Sequence, residues 1–232
     1  MRVTLLMLCF NEREGMKAVL PRIRKEWVDE IIIMDGGSTD GSIEYARSLG
    51  FPIRVQKKVG PAIGFRGQAI LDGFGQALEE ATGDYILSFT PDNNCVPEKI
   101  PDLIAKAKEG YEMVIASRYL KGARSYDDDF LTGFGNWFFT TLVNVLFGSR
   151  YTDVLGFYRI YRKDLLTRLK IPIKLSLSTI LCIRCRKKNL RTVDIPADEP
   201  ARIGGKSSRS ILRNGWIELT TILGEFGMNG RG

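Results

Sequence analysis

A chain of 232 residues, 44% hydrophobic and 26% charged, is long enough to bury a sizeable core and is ordinary in composition for a globular protein. It contains no histidine. That excludes His-based catalysis and His-ligated metal centres, and leaves a hard ion such as Mg²⁺ or Mn²⁺ on oxygen ligands. The net charge of +7 is uneven: residues 150–213 hold 16 Lys/Arg against 5 Asp/Glu, a balance of +11, so the remainder is −4. This asymmetry predicts an anionic partner for that segment, whether a phosphate, an acidic membrane surface or nucleic acid.

In chain order, Arg2 to Cys9 is a β-rich apolar run and the expected first strand, with no signal-peptide pattern ahead of it. Phe10-Asn11-Glu12 follows, then a helical stretch to about Lys25, which Asn11 is placed to cap. Ile31 to Met34 predicts a strand buried on both faces, stopped by Asp35 and turned by Gly36 and Gly37. Ser38, Thr39 and Asp40 then offer N-caps for a helix starting near Gly41. A short strand at 52–56, a helix at 64–81, a strand at 85–89, a helix from Pro97 and a strand at 113–116 continue the alternation. This β-α-β-α rhythm predicts a mostly parallel sheet flanked by helices, with ligands at the C-terminal ends of the strands.

Beyond a polar loop at 120–133, the second half reads less regularly. Residues 130–149 are uncharged for about a membrane span, but their three Gly, two Asn and three Thr favour a buried or interfacial helix. An added strand is expected at 157–162, a helix at 176–188, a strand at 190–195, and an amphipathic helix at about 207–226. Core packing is the expected role of Trp137 and Trp216. The four cysteines (Cys9, Cys95, Cys182 and Cys185) lack a second C-x-x-C pair and are expected to be packing thiols in a reducing cytosol.

Three carboxylates, Glu12, Asp35 and Asp92, thus fall at ends of parallel strands. One ligand can use them if it presents donors, as a nucleoside does, or brings a metal, as a diphosphate does. Asp92 is the expected metal ligand, because Asn94 two residues on adds a neutral oxygen of similar reach.

The stretches F-N-E (10–12), D-G-G-S-T-D-G-S (35–42), P-D-N-N (91–94) and S-R-Y-L-K-G (117–122), in that order, resemble family-two inverting glycosyltransferases with the GT-A fold. Thr152 to Arg159 and Glu199 to Ser207 are similar to later motifs of one branch, the dolichyl-phosphate mannose synthases and other polyprenyl-phosphate glycosyltransferases. The resemblance implies a GT-A, Rossmann-like fold in one catalytic domain over 1–232. Within it, 1–117 would be the nucleotide-sugar-binding half and 118–232 the acceptor-binding half. It implies that Phe10, Asn11, Glu12, Asp35, Gly37 and Gly64 hold the nucleoside of a UDP- or GDP-sugar. Asp92 and Asn94 would hold Mg²⁺ or Mn²⁺ on its diphosphate, and Arg118, Arg202 and Lys206 would meet phosphate oxygens through charge-assisted hydrogen bonds.

The chain departs from the pattern in three places, one being the 120–135 loop, where Asp127-Asp128-Asp129 stands instead of a further Arg that the branch often carries. The usual D-x-D is reduced to Thr90-x-Asp92 or Asp92-x-Asn94, and the region near 177–180 lacks the late acidic residue that serves many hydroxyl-directed members as general base. A phosphate acceptor is already ionised and needs no base, so the expected reaction is transfer of a hexose to polyprenyl phosphate. Asp153 is the fallback base for a hydroxyl acceptor. The protein is then expected to be cytoplasmic, peripheral at the inner face of the cell membrane, meeting its lipid there with or without a membrane partner protein. Nucleic acid fits poorly, because the basic residues lack interleaved aromatics or a reader motif. The alternatives are transfer to a saccharide hydroxyl and non-catalytic sugar-nucleotide binding.

Overall fold

The computed structural model describes residues 1–57, 66–204 and 210–227. Gly64 and Lys206, two of the expected site residues, lie outside them.

Seven strands form one sheet: β1 (Val3–Cys9), β2 (Glu30–Asp35), β3 (Ile53–Val55), β4 (Tyr85–Phe89), β5 (Met113–Ser117), β6 (Arg159–Arg162) and β7 (Thr192–Pro196). Their order is β3-β2-β1-β4-β6-β5-β7, and all pairs are parallel except the two that involve β6. The helices are α1 (Arg13–Val19), α2 (Ser42–Ser48), α3 (Arg66–Glu80), α4 (Ile100–Lys108), α5 (Phe130–Phe147), α6 (Leu165–Arg168), α7 (Leu177–Lys187) and α8 (Ile211–Gly227).

The apolar strands bury both faces. Leu5, Met7, Ile33, Leu87 and Phe89 pack on one side with Met16 and Val19 of α1 and Leu103 of α4. Leu6, Ile32, Met34 and Ile86 pack on the other with Phe74 and Leu78 of α3 and Ile180 and Leu181 of α7. The alternation follows from the period of two along a strand.

Local chemistry explains where the elements differ from the expected ones. The helix expected to reach Lys25 stops at Val19 and gives way to a 3₁₀ turn at Leu20–Arg22, because the Pro21 ring would clash with the carbonyl four residues earlier. The added strand is antiparallel and is inserted between β4 and β5, with Arg159 paired to Ser88 on one side and Ile115 on the other. It holds β4 and β5 two strand spacings apart, roughly 10 Å, and feeds the 153–158 turn into the gap. α5 is not a buried helix: among its residues only Asn136, Thr140 and Val143 are fully buried. It is long and apolar enough to cross a membrane by length and composition. Trp137 and Trp216 are 59% and 67% exposed, so neither packs in the core.

Candidate active site

Parallel register places the exits of β2, β1 and β4 side by side, with Cys9 opposite Asp35 and Met7 opposite Phe89. Asp35 is fully buried. Its Oδ1 accepts from the Gly37 and Ser38 amides at 2.8 and 2.7 Å, and its Oδ2 from the Ser38 hydroxyl at 2.6 Å. The carboxylate therefore builds the turn, in which Gly37 takes φ +92°, a conformation that favours glycine. The nucleoside contact expected of Asp35 from the sequence would have to be made by this same buried, turn-building carboxylate. Asn11, at φ +55°, accepts from the Thr39 amide at 2.9 Å and so ties the β1 exit to the β2 exit rather than capping α1. Phe10 is 46% exposed, its ring lying against Gly36. That exposure leaves a ring face to which a base could stack.

Glu12 and Asp92 do converge, on one guanidinium. Arg202 Nη2 lies 2.5 Å from Asp92 Oδ2, and its Nη1 lies 3.5 Å from Glu12 Oε1. Residues 200–203 lie along the loop after β4: Ile203 N donates to the Asp92 carbonyl (3.0 Å), Asn93 Nδ2 to Ala201 O (2.9 Å) and Asn94 Nδ2 to Pro200 O (3.0 Å). Asn94 thus spends its amide nitrogen as a clasp, and only its Oδ1 could face a metal. Thr90 turns toward the Cys95 thiol, with its hydroxyl 3.2 Å from the sulfur.

Glu12 Oε2 is buried without any hydrogen-bond partner. Burial, then the neighbouring Asp92 carboxylate, pushes the Glu12 pKa up to about 7, with Arg202 opposing. A carboxyl raised in the folded state binds its proton more tightly there, so ligand-free stability should fall as pH rises from about 4.5 to about 7. E12Q should remove this dependence. In urea melts its advantage over the parent should grow across that window to about 3 kcal/mol and vanish below it; a difference independent of pH would contradict the assignment.

On the far side of β6, Arg118 follows β5. Asp153, fully buried, grips its Nε and Nη2 at 2.7 and 2.9 Å. Glu199 Oε2 and Asp128 Oδ2 stand 3.2 and 3.7 Å from Nη1. Arg118 is thus engaged by three carboxylates, with which any phosphate would have to compete, and Asp153, expected as a fallback base, has both oxygens committed to Arg118 and no exposure. Gly156 N also donates to Asp153 Oδ1 at 2.9 Å.

The family model for Glycosyl transferase family 2 matches residues 4–169. The chain belongs to that family. Glycosyltransferase AglJ of Haloferax volcanii is 26% identical over 225 residues, covering 93% of this chain and 69% of that protein. A dolichol-phosphate mannosyltransferase of Pyrococcus furiosus is 32% identical over 129 residues, 53% of this chain and 35% of that one. Among solved structures, glucosyl-3-phosphoglycerate synthase from Mycobacterium tuberculosis, crystallised with Mn²⁺, UDP and phosphoglyceric acid, superposes with a TM-score of 0.72 at 19% identity, covering 97% of this chain and 78% of that one. The sheet order and flanking helices are thus those of a GT-A fold.

The rim of this glycosyltransferase fits a divalent cation. Among the described residues no three acidic or thiol groups gather to hold a metal alone. Yet Asp92 already takes a cationic group on its outer oxygen, and Glu12 keeps an orphaned one. One protein carboxylate completed by substrate phosphate oxygens is a usual Mg²⁺ arrangement.

Sequence reasoning missed three residues. Glu199 was hidden because its partner Arg118 is 81 positions away. Gly15, buried in α1, lets Pro91 O and Asp92 Cα come within 2.4 and 2.8 Å of where a Cβ would stand; a glycine inside a helix was the available signal. Glu218 of α8 accepts from Thr179 Oγ1 at 2.7 Å, so the 177–180 region does have an acid, brought from another element.

Proposed function

We propose that this enzyme transfers a hexose from a UDP- or GDP-sugar to polyprenyl phosphate at a membrane surface, with inversion, aided by Mg²⁺ or Mn²⁺ held at Asp92. The carrying observation is where the exposed apolar shelf begins. α5 starts two residues after Asp128, beside the Arg118 crevice, and exposes Phe130 (90%) and Trp137 (59%). α8 packs beside it and exposes Leu212 and Trp216. Aromatic and apolar side chains on such helices suit the headgroup boundary, and the basic C-terminal third suits anionic lipid. A phosphate delivered there would meet Arg118.

On this reading Phe10 offers the base a ring to lie on, and Glu12 Oε2 accepts from a nucleoside donor. The metal supplies positive charge to the leaving diphosphate. Arg202, displaced from Asp92, turns to phosphate oxygens. The acceptor phosphate is ionised before it attacks and requires no base. The amide of Asn136, buried on the inner face of α5 with neither atom bonded, is a further group awaiting a partner.

Glu218 supports a second reading. Burial raises its pKa to about 7, which suits a general base for a saccharide hydroxyl. Incubating the protein with UDP- and GDP-hexoses, Mn²⁺ and either vesicles containing polyprenyl phosphate or soluble saccharides separates the two. A lipid-linked hexose is the expected product; transfer to saccharides alone would favour the hydroxyl acceptor.

A further inference from the structure

We infer that Glu199 is an acceptor-selectivity residue: its carboxylate occupies the anion seat on Arg118 and must be displaced before an acceptor phosphate can bind. This rests on the proposed role of Arg118 as the cation that receives that phosphate.

The guanidinium has two unlike sides. Asp153, with no exposure, takes Nε and Nη2 and fixes the plane of the group. Nη1 is left to Glu199, at 3.3 Å from Oε1 and 3.2 Å from Oε2, and to Asp128 at 3.7 Å. These are longer contacts, and their carboxylates keep 13% and 17% exposure, so they cover the side that opens outward. Asp128 also accepts from the Tyr119 hydroxyl, and Glu199 from the Ser125 hydroxyl.

One cation faces three carboxylates here, so Glu199 is held in a surplus of negative charge. Burial raises its pKa, in the direction that weakens its hold. Its backbone is pinned: Glu199 N donates to Arg124 O and Tyr126 N to Glu199 O, at 2.9 and 2.8 Å. Release therefore needs only a side-chain rotation away from Nη1 and the Ser125 hydroxyl. A phosphate dianion carries more charge than a carboxylate and can replace the one longer-held carboxylate on Nη1 through a charge-assisted hydrogen bond. A neutral hydroxyl cannot. The same short segment carries Arg202 to Asp92, so residues 199–202 place one self-made counterion in each half of the site.

The test uses the full chain and inorganic phosphate as a probe, titrated calorimetrically without donor or lipid. E199Q should bind phosphate about tenfold more tightly than the parent. In turnover its KM for polyprenyl phosphate should fall by a similar factor, with kcat and the nucleotide-sugar KM within about threefold. Should E199Q fold poorly, S125A serves instead: it frees Glu199 without touching Arg118 and should tighten phosphate binding by a smaller factor. Unchanged phosphate affinity in a folded variant overturns the inference. So does a 100-fold fall in kcat that removes the acidic limb of the pH profile, which would make Glu199 a base. If the parent fails to glycosylate polyprenyl phosphate, the acceptor assignment falls while the phosphate titration still decides the role of Glu199.

Discussion

Asp92→Asn is expected to lower kcat by about 10²–10³-fold while leaving the protein folded. The residue is 4% exposed and its two carboxylate oxygens have separate duties. Oδ1 accepts from the Asn94 amide at 3.2 Å, a turn contact that asparagine can keep. Oδ2 holds the cation of the site, which is Arg202 in this structure, and that attraction needs the charge. In the ligand-free molecule Glu12 and Asp92 share one guanidinium, and their repulsion helps drive Glu12 up to about 7. Neutralising Asp92 leaves a balanced Glu12–Arg202 pair, so Tm should hold or rise slightly. Initial rates at saturating Mn²⁺ and thermal melts read the two effects apart. Affinity for the nucleoside diphosphate, UDP or GDP, should also lose its dependence on Mn²⁺. A variant within tenfold of parental kcat at saturating metal would remove Asp92 from the donor site.

Several features were legible because they are local. Largely apolar runs marked β1, β2, β4 and β5, and residues just after such strands fall on one rim, where Glu12 and Asp92 share Arg202. Other features depend on distant partners. Nothing in the four residues Arg159–Arg162 says that they pair antiparallel between β4 and β5, and that insertion sets the spacing of the two halves of the site. Asp35 stood out because its run ended there, but the run itself could not show that Gly37 and Ser38 turn back to donate to it. Arg118 and Asp153 were each recognisable, but their pairing across 35 positions turns one into the other's anchor. Trp137 and Trp216 lie on periodic apolar helices, and periodicity alone cannot say whether an apolar face meets a core or something outside the chain.

Gly15→Ala is expected to damage the site without touching any group in it. An added Cβ would stand 2.4 Å from Pro91 O, 2.8 Å from Asp92 Cα and 3.1 Å from Ile203 O. All three are backbone atoms, so no side chain can rotate away. Either α1 or the loop after β4 must shift, and both are anchored: α1 buries Met16 and Val19 in the core, and the loop is clasped by Asn93 and Asn94 to residues 200–201. Overpacking of this kind costs about 1–3 kcal/mol, which denaturant melts would read. The larger effect should be kinetic. Glu12 precedes α1 and Asp92 lies in the loop, so wedging them apart opens the gap that Arg202 now spans. A displacement near 1 Å is enough to cost about 10²-fold in kcat/KM. The loss should fall on the nucleotide sugar more than on the acceptor, whose proposed seat at Arg118 lies across β6. An alanine variant with parental stability and an unchanged nucleotide-sugar KM would mean that α1 and the Asp92 loop are less closely packed than this geometry requires.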